Sequence, residues 1–185
     1  MTRILSAQDV LRVLRRLAHE VVEANQGPDD LVLMGIQSRG WPLAQRLAGL
    51  IEDIEGVRVP HGPLDVTLFR DDLRQRGPLA LGQTKFPCDI DGKTVVLVDD
   101  VLYTGRTIRA AMEAVFEVGR PRAVRLVVLV DRGHRQLPIR ADHVGKNLPT
   151  AFADHVTVTL EETDEEDAVD ADVNPKADFA MKDPR

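Results

Sequence analysis

The residues best equipped for chemistry lie between positions 94 and 108, Thr-Val-Val-Leu-Val-Asp-Asp-Val-Leu-Tyr-Thr-Gly-Arg-Thr-Ile. Asp99 and Asp100 supply adjacent carboxylates, and Thr104-Gly105-Arg106-Thr107 follows closely. A Thr- and Gly-rich turn entering a helix offers unpaired backbone N–H groups, hydroxyl donors and the positive end of a helix dipole, which together suit a phosphate. Carboxylates beside it can hold sugar hydroxyls or Mg²⁺. The implied ligand is a sugar phosphate. Taken singly, the same parts read as a solvated strand end and an ordinary turn. The run is neither a P-loop, which ends in Gly-Lys-Ser/Thr, nor a Rossmann Gly-x-Gly-x-x-Gly.

These groups need a scaffold. Val95 to Val98 is a continuous apolar run, the pattern of a strand covered on both faces. It leaves the two acids at its carboxyl end, where open α/β sheets bind ligands. Ile108, Met112 and Val115 share one face of a helix predicted over 107–118, which Gly119-Arg120-Pro121 ends. Leu31 to Ile36 and Val124 to Val130 read as two further buried strands. Gln37-Ser38-Arg39-Gly40 leaves the first of them, and Trp41-Pro42 opens a helix with Leu43, Leu47, Leu50 and Ile51 as its buried stripe. Right-handed crossovers between such units predict a parallel sheet.

Upstream, Ser6 and Asp9 form an amino-terminal cap for a helix whose buried stripe includes Val10, Leu14, Leu17 and Val21, and Gly27-Pro28 stops it. Its other face carries Arg12, Arg15, Arg16 and His19, which alone reads as a solvated basic face. Asp65 to Phe69 alternates as a strand, and His155 to Leu160 as a final edge strand. Residues 70–93 are polar and broken by Gly77-Pro78, Gly82 and Pro87, the composition of a lid or a disordered loop.

At 185 residues and 43% hydrophobic content, the chain predicts one domain with a substantial core. The lone Cys88 excludes an intrachain disulfide. The amino terminus lacks a signal-peptide core and no apolar run reaches membrane length, so a soluble, cytoplasmic protein without membrane contact is expected. The net charge of −6 is uneven: residues 161–185 hold ten acids against three bases, leaving 20 acids and 21 bases in residues 1–160. A folded domain over 1–160 and a disordered acidic tail over 161–185 are therefore expected.

Residues 94–108 closely resemble the phosphoribosyl diphosphate (PRPP) motif of type I phosphoribosyltransferases. Gly35-Ile36-Gln37-Ser38-Arg39-Gly40 resembles that family's pyrophosphate loop. The basic stretch Asp131-Arg-Gly-His-Arg-Gln-Leu-Pro-Ile-Arg-Ala-Asp-His-Val-Gly-Lys146, with Leu68-Phe-Arg-Asp-Asp-Leu73 and Val101-Leu-Tyr-Thr-Gly-Arg-Thr107, is similar to the PyrR family. Its members are bacterial attenuators of pyrimidine-biosynthesis mRNA with uracil phosphoribosyltransferase activity.

The resemblance spans residues 6–160 and implies an α/β type I phosphoribosyltransferase fold, a central, mostly parallel sheet flanked by helices with a small hood. It implies that Asp99 and Asp100 engage ribose, and that Tyr103, Thr104, Gly105, Arg106 and Thr107 hold the 5′-phosphate. Ser38 and Arg39 would meet the departing pyrophosphate, with Mg²⁺ carried by PRPP and Asp99 and Asp100 as its candidate protein ligands. Catalysis would rest on Asp99, Asp100 and Arg39, with uracil beside Val130, Asp131 and Arg132. Residues 70–93 would be the loop that closes over substrate.

Position by position, the family's RNA contacts fall on Arg16, His19, Ser38, His134, Arg135, Arg140 and Lys146. Arg15 and Ser38 depart from an expected Thr; Arg15 adds a charge and Ser38 keeps the hydroxyl. The implied partners are PRPP, uracil, UMP and the pyrimidine operon leader mRNA, in a homodimer or homotetramer. The alternatives are a uracil-salvage enzyme with little RNA-binding role and a phosphoribosyltransferase for another base.

Overall fold

The computed structural model describes residues 1–71 and 82–172. Along the chain it forms β1 (Thr2–Leu5), α1 (Ala7–Asn25), β2 (Leu31–Ile36), α2 (Gly40–Glu55), β3 (His61–Leu64), a 3-10 turn (Thr67–Phe69), β4 (Thr94–Leu102), α3 (Arg106–Val118), β5 (Ala123–Asp131), β6 (His143–Asn147), β7 (His155–Thr159) and β8 (Ala168–Asp172). A five-stranded sheet runs β3-β2-β4-β5-β6, and all its pairings are parallel.

β2 and most of β4 and β5 are apolar because both faces there are covered. Leu31, Leu33, Val96, Val98, Val127 and Leu129 pack with Leu14, Leu17, Leu43, Leu47 and Ile51 of α1 and α2. The alternate residues Val32, Met34, Val95, Leu97, Leu126 and Val128 pack with Ile108, Ala111 and Val115 of α3. Each buried large aliphatic side chain contributes about 1.5–3 kcal/mol. This two-sided burial fixes the strand register and hence where the strand ends point.

The expected cap of α1 is present. Ser6 accepts from the Asp9 N–H at 3.3 Å, and Asp9 accepts from the Ser6 N–H at 3.0 Å. The helix ends at Gln26 in the left-handed conformation, just before the predicted Gly27-Pro28 stop.

Several expectations need correcting. The strand read at Asp65–Phe69 lies earlier, at His61–Leu64, and residues 67–69 form a 3-10 turn. There Thr67 N–H and Oγ1 bond to the Asp65 carboxylate, which turns the chain out of the sheet. A strand unforeseen in the basic stretch, β6, edges the sheet.

The acidic segment after Leu160 was expected to be disordered, but residues 161–172 are folded. Residues 168–172 form β8, the middle strand of an antiparallel sheet β1-β8-β7, so β7 is an edge strand but not the last. Ala168, Val169 and Ala171 are buried, and Val169 joins the α1–α2 core. The acids meet arginines of the folded domain: Arg3 pairs with Glu166 and Asp170, and Arg46 with Glu162 and Asp167. Residues 173–185 of that expected tail, and 72–81 of the expected loop, lie outside the described residues. Among the described residues, no helix is long and apolar enough to cross a membrane.

Candidate functional site

Strands β2 and β4 are parallel neighbours, with Gly35 opposite Val98, so their carboxyl ends lie side by side. The Gln37–Gly40 loop is pressed onto β4. A Cβ on Gly40 would stand 2.3 Å from the Val98 carbonyl oxygen, so only glycine fits. The Gln37–Ser38 peptide is cis. Ser38 is exposed and Arg39 half-buried at the start of α2.

The turn between β4 and α3 encloses a cavity of about 500 Å³. Leu102 to Ile108 line it, with Asp99, Arg70 and Asp71. Gly105 caps α3 at φ +91°, which glycine adopts without strain, and the side-chain bond at this helix end is a long one, from the Arg106 N–H to Thr104 Oγ1 at 3.4 Å. The first helical backbone bond is donated by Arg109 to Gly105 at 3.0 Å. The earlier N–H groups therefore offer donors to an anion at the positive end of the helix.

Asp99 and Asp100 differ in surroundings. Asp99 is buried on the cavity wall, where burial first, and the neighbouring Asp100 second, push its carboxyl well above the usual carboxylate range. Asp100 is half-buried, and its carboxylate accepts the Val101 N–H at 2.9 Å. Among the described residues, no group of three or more His, Cys, Asp or Glu is placed to hold a metal. Of the acid pair, Asp99 lines the cavity and Asp100 does not, a donor set that suits Mg²⁺ arriving with substrate phosphates rather than a resident ion.

Residues absent from the sequence reading also shape the site. Asp71 pairs with Arg106, whose Nε also donates to Gln136 at 2.8 Å. Arg39 is held by Asp164 of the acidic segment, at 3.1 Å. The Asp71 and Asp164 pairings cross 35 and 125 residues of sequence, so no local pattern could have shown them.

The residues expected around the base mostly brace one another. Arg132 is buried, and it donates to Thr150 Oγ1, Ala151 O and Asp154 O at 3.2, 3.1 and 2.7 Å. Its guanidinium also stacks 4.1 Å over the Tyr103 ring. Tyr103 donates to Phe152 O at 3.1 Å, and the exposed Phe152 ring lies against it. Asp131 accepts from the Gly133 N–H and from Arg135. The backbone there is engaged as well: Arg132 N–H donates to Leu102 O at 3.1 Å, and Asp131 O accepts the Leu148 N–H at 2.8 Å.

The residues expected to meet RNA do not gather into one patch. Arg16 and His19 lie on α1, and Arg16 reaches across to the carbonyl of Gly145 on β6 at 2.6 Å, next to the exposed Lys146. Arg140 is exposed beside Ile108 and Met112 of α3, on the opposite face of the sheet. His134 contacts the Thr150 carbonyl at 2.5 Å. Arg135 donates to Ile139 O, Tyr103 O, Gly133 O and Asp131, so its side chain ties the basic stretch to the phosphate turn. Ser38 stands apart, in the loop after β2.

The family model for a phosphoribosyl transferase domain matches residues 1–163. A bifunctional protein PyrR of Chloroflexus aurantiacus is 58% identical over 168 residues, 90% of this chain and 92% of that one. Another bifunctional protein PyrR, from Streptomyces coelicolor, is 57% identical over 94% of this chain and 91% of its own. The hypoxanthine phosphoribosyltransferase of Trypanosoma cruzi superposes with a TM-score of 0.70 over 92% of this chain and 95% of its own. At 20% identity that likeness establishes the fold alone. The chain, with its parallel sheet and its carboxylate-and-turn site at the strand ends, is a phosphoribosyltransferase-fold protein that belongs to the PyrR family.

Proposed function

We propose that this chain transfers the phosphoribosyl group of PRPP to uracil, giving UMP and diphosphate, and also binds pyrimidine operon leader mRNA as a UMP-dependent attenuator. The observation that carries the first half is the amino end of α3, opening onto a cavity of about 500 Å³ with Asp99 on its wall. The backbone donors of the Tyr103–Thr107 turn and the Thr104 and Thr107 hydroxyls take the 5′-phosphate. Asp99 and Asp100 take the ribose hydroxyls, and Arg39 and Ser38 take the diphosphate. Uracil lies beside Val130, Asp131 and Arg132, where β5 leaves the sheet.

Asp100, the less buried acid, would be the protein group to hold Mg²⁺ carried by PRPP. When bound, the ion neutralises charge on the diphosphate. The remaining work is positioning and electrostatics: Asp99 and Asp100 hold the ribose, the less buried Asp100 favours positive charge developing on it, and the guanidinium of Arg39 favours the leaving group. The site of action is the cytoplasm, as a homodimer or homotetramer.

For RNA, the favoured surface wraps the β6 edge of the sheet, with Arg16, His19 and Lys146 on one side and Arg140 on the other. The second reading, chiefly a salvage enzyme, draws support from Arg135 and His134, whose polar groups are spent inside the fold. Lys146 on an edge strand also has a plainer use, since edge lysines deter strand pairing.

Release of diphosphate from PRPP with uracil, hypoxanthine or orotate tests the enzymatic reading. Uracil is expected to support turnover and the other two bases not. Turnover with hypoxanthine or orotate but not uracil would refute it.

A further inference from the structure

Asp164 lies in the connection between β7 and β8, and it is fixed before it meets any arginine. Its Oδ2 accepts the Leu160 N–H at 3.0 Å and the Thr163 hydroxyl at 2.7 Å. These two donors, then Arg39, hold its carboxyl down to about 2, so it is ionised at neutral pH. The same connection is clamped to α2 a second time, where Arg46 meets Glu162 and Asp167 at 2.6 and 2.5 Å. Asp164 is thus a carboxylate at a set position rather than the end of a loose segment.

Its contact with Arg39 uses one edge of the guanidinium. Nε donates to Oδ2 at 3.3 Å and Nη2 to Oδ1 at 3.1 Å. Nη1 has no acceptor among the described residues, and the Arg39 side chain is 32% exposed. A guanidinium carries its donors in a rigid fork, so one edge can be held by protein while the other meets a phosphate. An arginine held in this way loses less rotamer freedom on binding than a loose one.

We propose that Asp164 is a positioning residue that presents the open edge of Arg39 to the diphosphate of PRPP. This rests on the reading of Arg39 as the diphosphate contact. It assigns a working part to the acidic segment after Leu160. It also predicts a division of effects, because UMP carries no diphosphate and does not need Arg39 oriented.

The test uses the full chain, with Asp164→Asn, Thr163→Val and Arg39→Gln. The readouts are the KM for PRPP and kcat in uracil-dependent diphosphate release, and calorimetric Kd values for inorganic pyrophosphate and UMP. Asp164→Asn is expected to raise the KM for PRPP and the pyrophosphate Kd roughly three- to fivefold, the upper range for a partly exposed ion pair. UMP affinity should stay unchanged, and kcat should fall by no more than the same factor, since Arg39 also favours the leaving group. Thr163→Val, which frees the carboxylate without removing it, should show the same pattern more weakly.

If Arg39→Gln weakens pyrophosphate binding and Asp164→Asn does not, the inference fails and the Arg39 reading survives. If Arg39→Gln has no effect, both fail together. Tighter pyrophosphate binding by Asp164→Asn would make the carboxylate a competitor and overturn the proposal. So would an equal loss of UMP affinity, which would mark a merely structural role.

Discussion

Val169 tests whether the acidic segment after Leu160 belongs to the fold. Its side chain is fully buried in the core shared by α1, α2 and the parallel sheet, on the middle strand of the antiparallel sheet. Val169→Ala removes two methyl groups at about 0.8 kcal/mol each, and the cavity left behind raises the loss to roughly 2 kcal/mol. In a chain of this size each kcal/mol lowers the melting temperature by about 2–4 °C. The expected drop is therefore about 4–8 °C in a thermal melt. Glu165→Ala, at an exposed position of the same segment, is the control and should change stability by no more than about 0.5 kcal/mol. A cut after Leu160 should destabilise more than Val169→Ala, since it also removes β8 and the acids that hold Arg46. Melting of Val169→Ala within about 1 °C of wild type would refute the packing of this segment into the core.

The other predictions concern the site. Asp99→Asn should cut uracil-dependent turnover roughly a hundredfold. The same change should raise the melting temperature at pH 8. A carboxyl whose folded value lies above its unfolded one, near 3.8, destabilises the fold as pH rises, so the gain should vanish as pH falls toward that value. Arg135→Gln should weaken UMP and RNA binding together, because it unties the basic stretch from Tyr103; intact UMP binding would show the tie to be idle. Arg140→Ala should weaken the specific leader more than an unrelated RNA and spare UMP. Lys146→Ala should weaken all RNAs alike and lower the salt slope by about one unit or less. An effect of either on uracil transfer would contradict the separation of the two surfaces.

The parallel sheet and the turn from β4 into α3 were legible because each rests on local pattern. Continuous apolar runs in β2, β4 and β5 report two-sided burial, and the Thr-Gly turn reports the helix start it forms. The strand β3, His-Gly-Pro-Leu, was not legible, since glycine and proline mask it and an edge position tolerates them. The segment after Leu160 was misread for another reason. Counting charge along the chain treats its acids as unpartnered, whereas Arg3, Arg39 and Arg46 wait for them on the folded surface. The short run Ala168-Val169-Asp170-Ala171 buries its small side chains only because β1 and β7 flank it. The family resemblance put Arg132 beside the base and Arg135 against RNA, and the carbonyls they hold are visible only in three dimensions.

The central claim joins a nucleotide site to an RNA surface, and one titration tests it. Operon leader RNA is titrated into the full chain with and without saturating UMP, at fixed salt. Leader affinity is expected to rise when UMP is present, and linkage requires UMP affinity to rise by the same factor when the leader is bound. Leader affinity that is weak, driven by low salt and indifferent to UMP would contradict the regulator and leave the salvage enzyme.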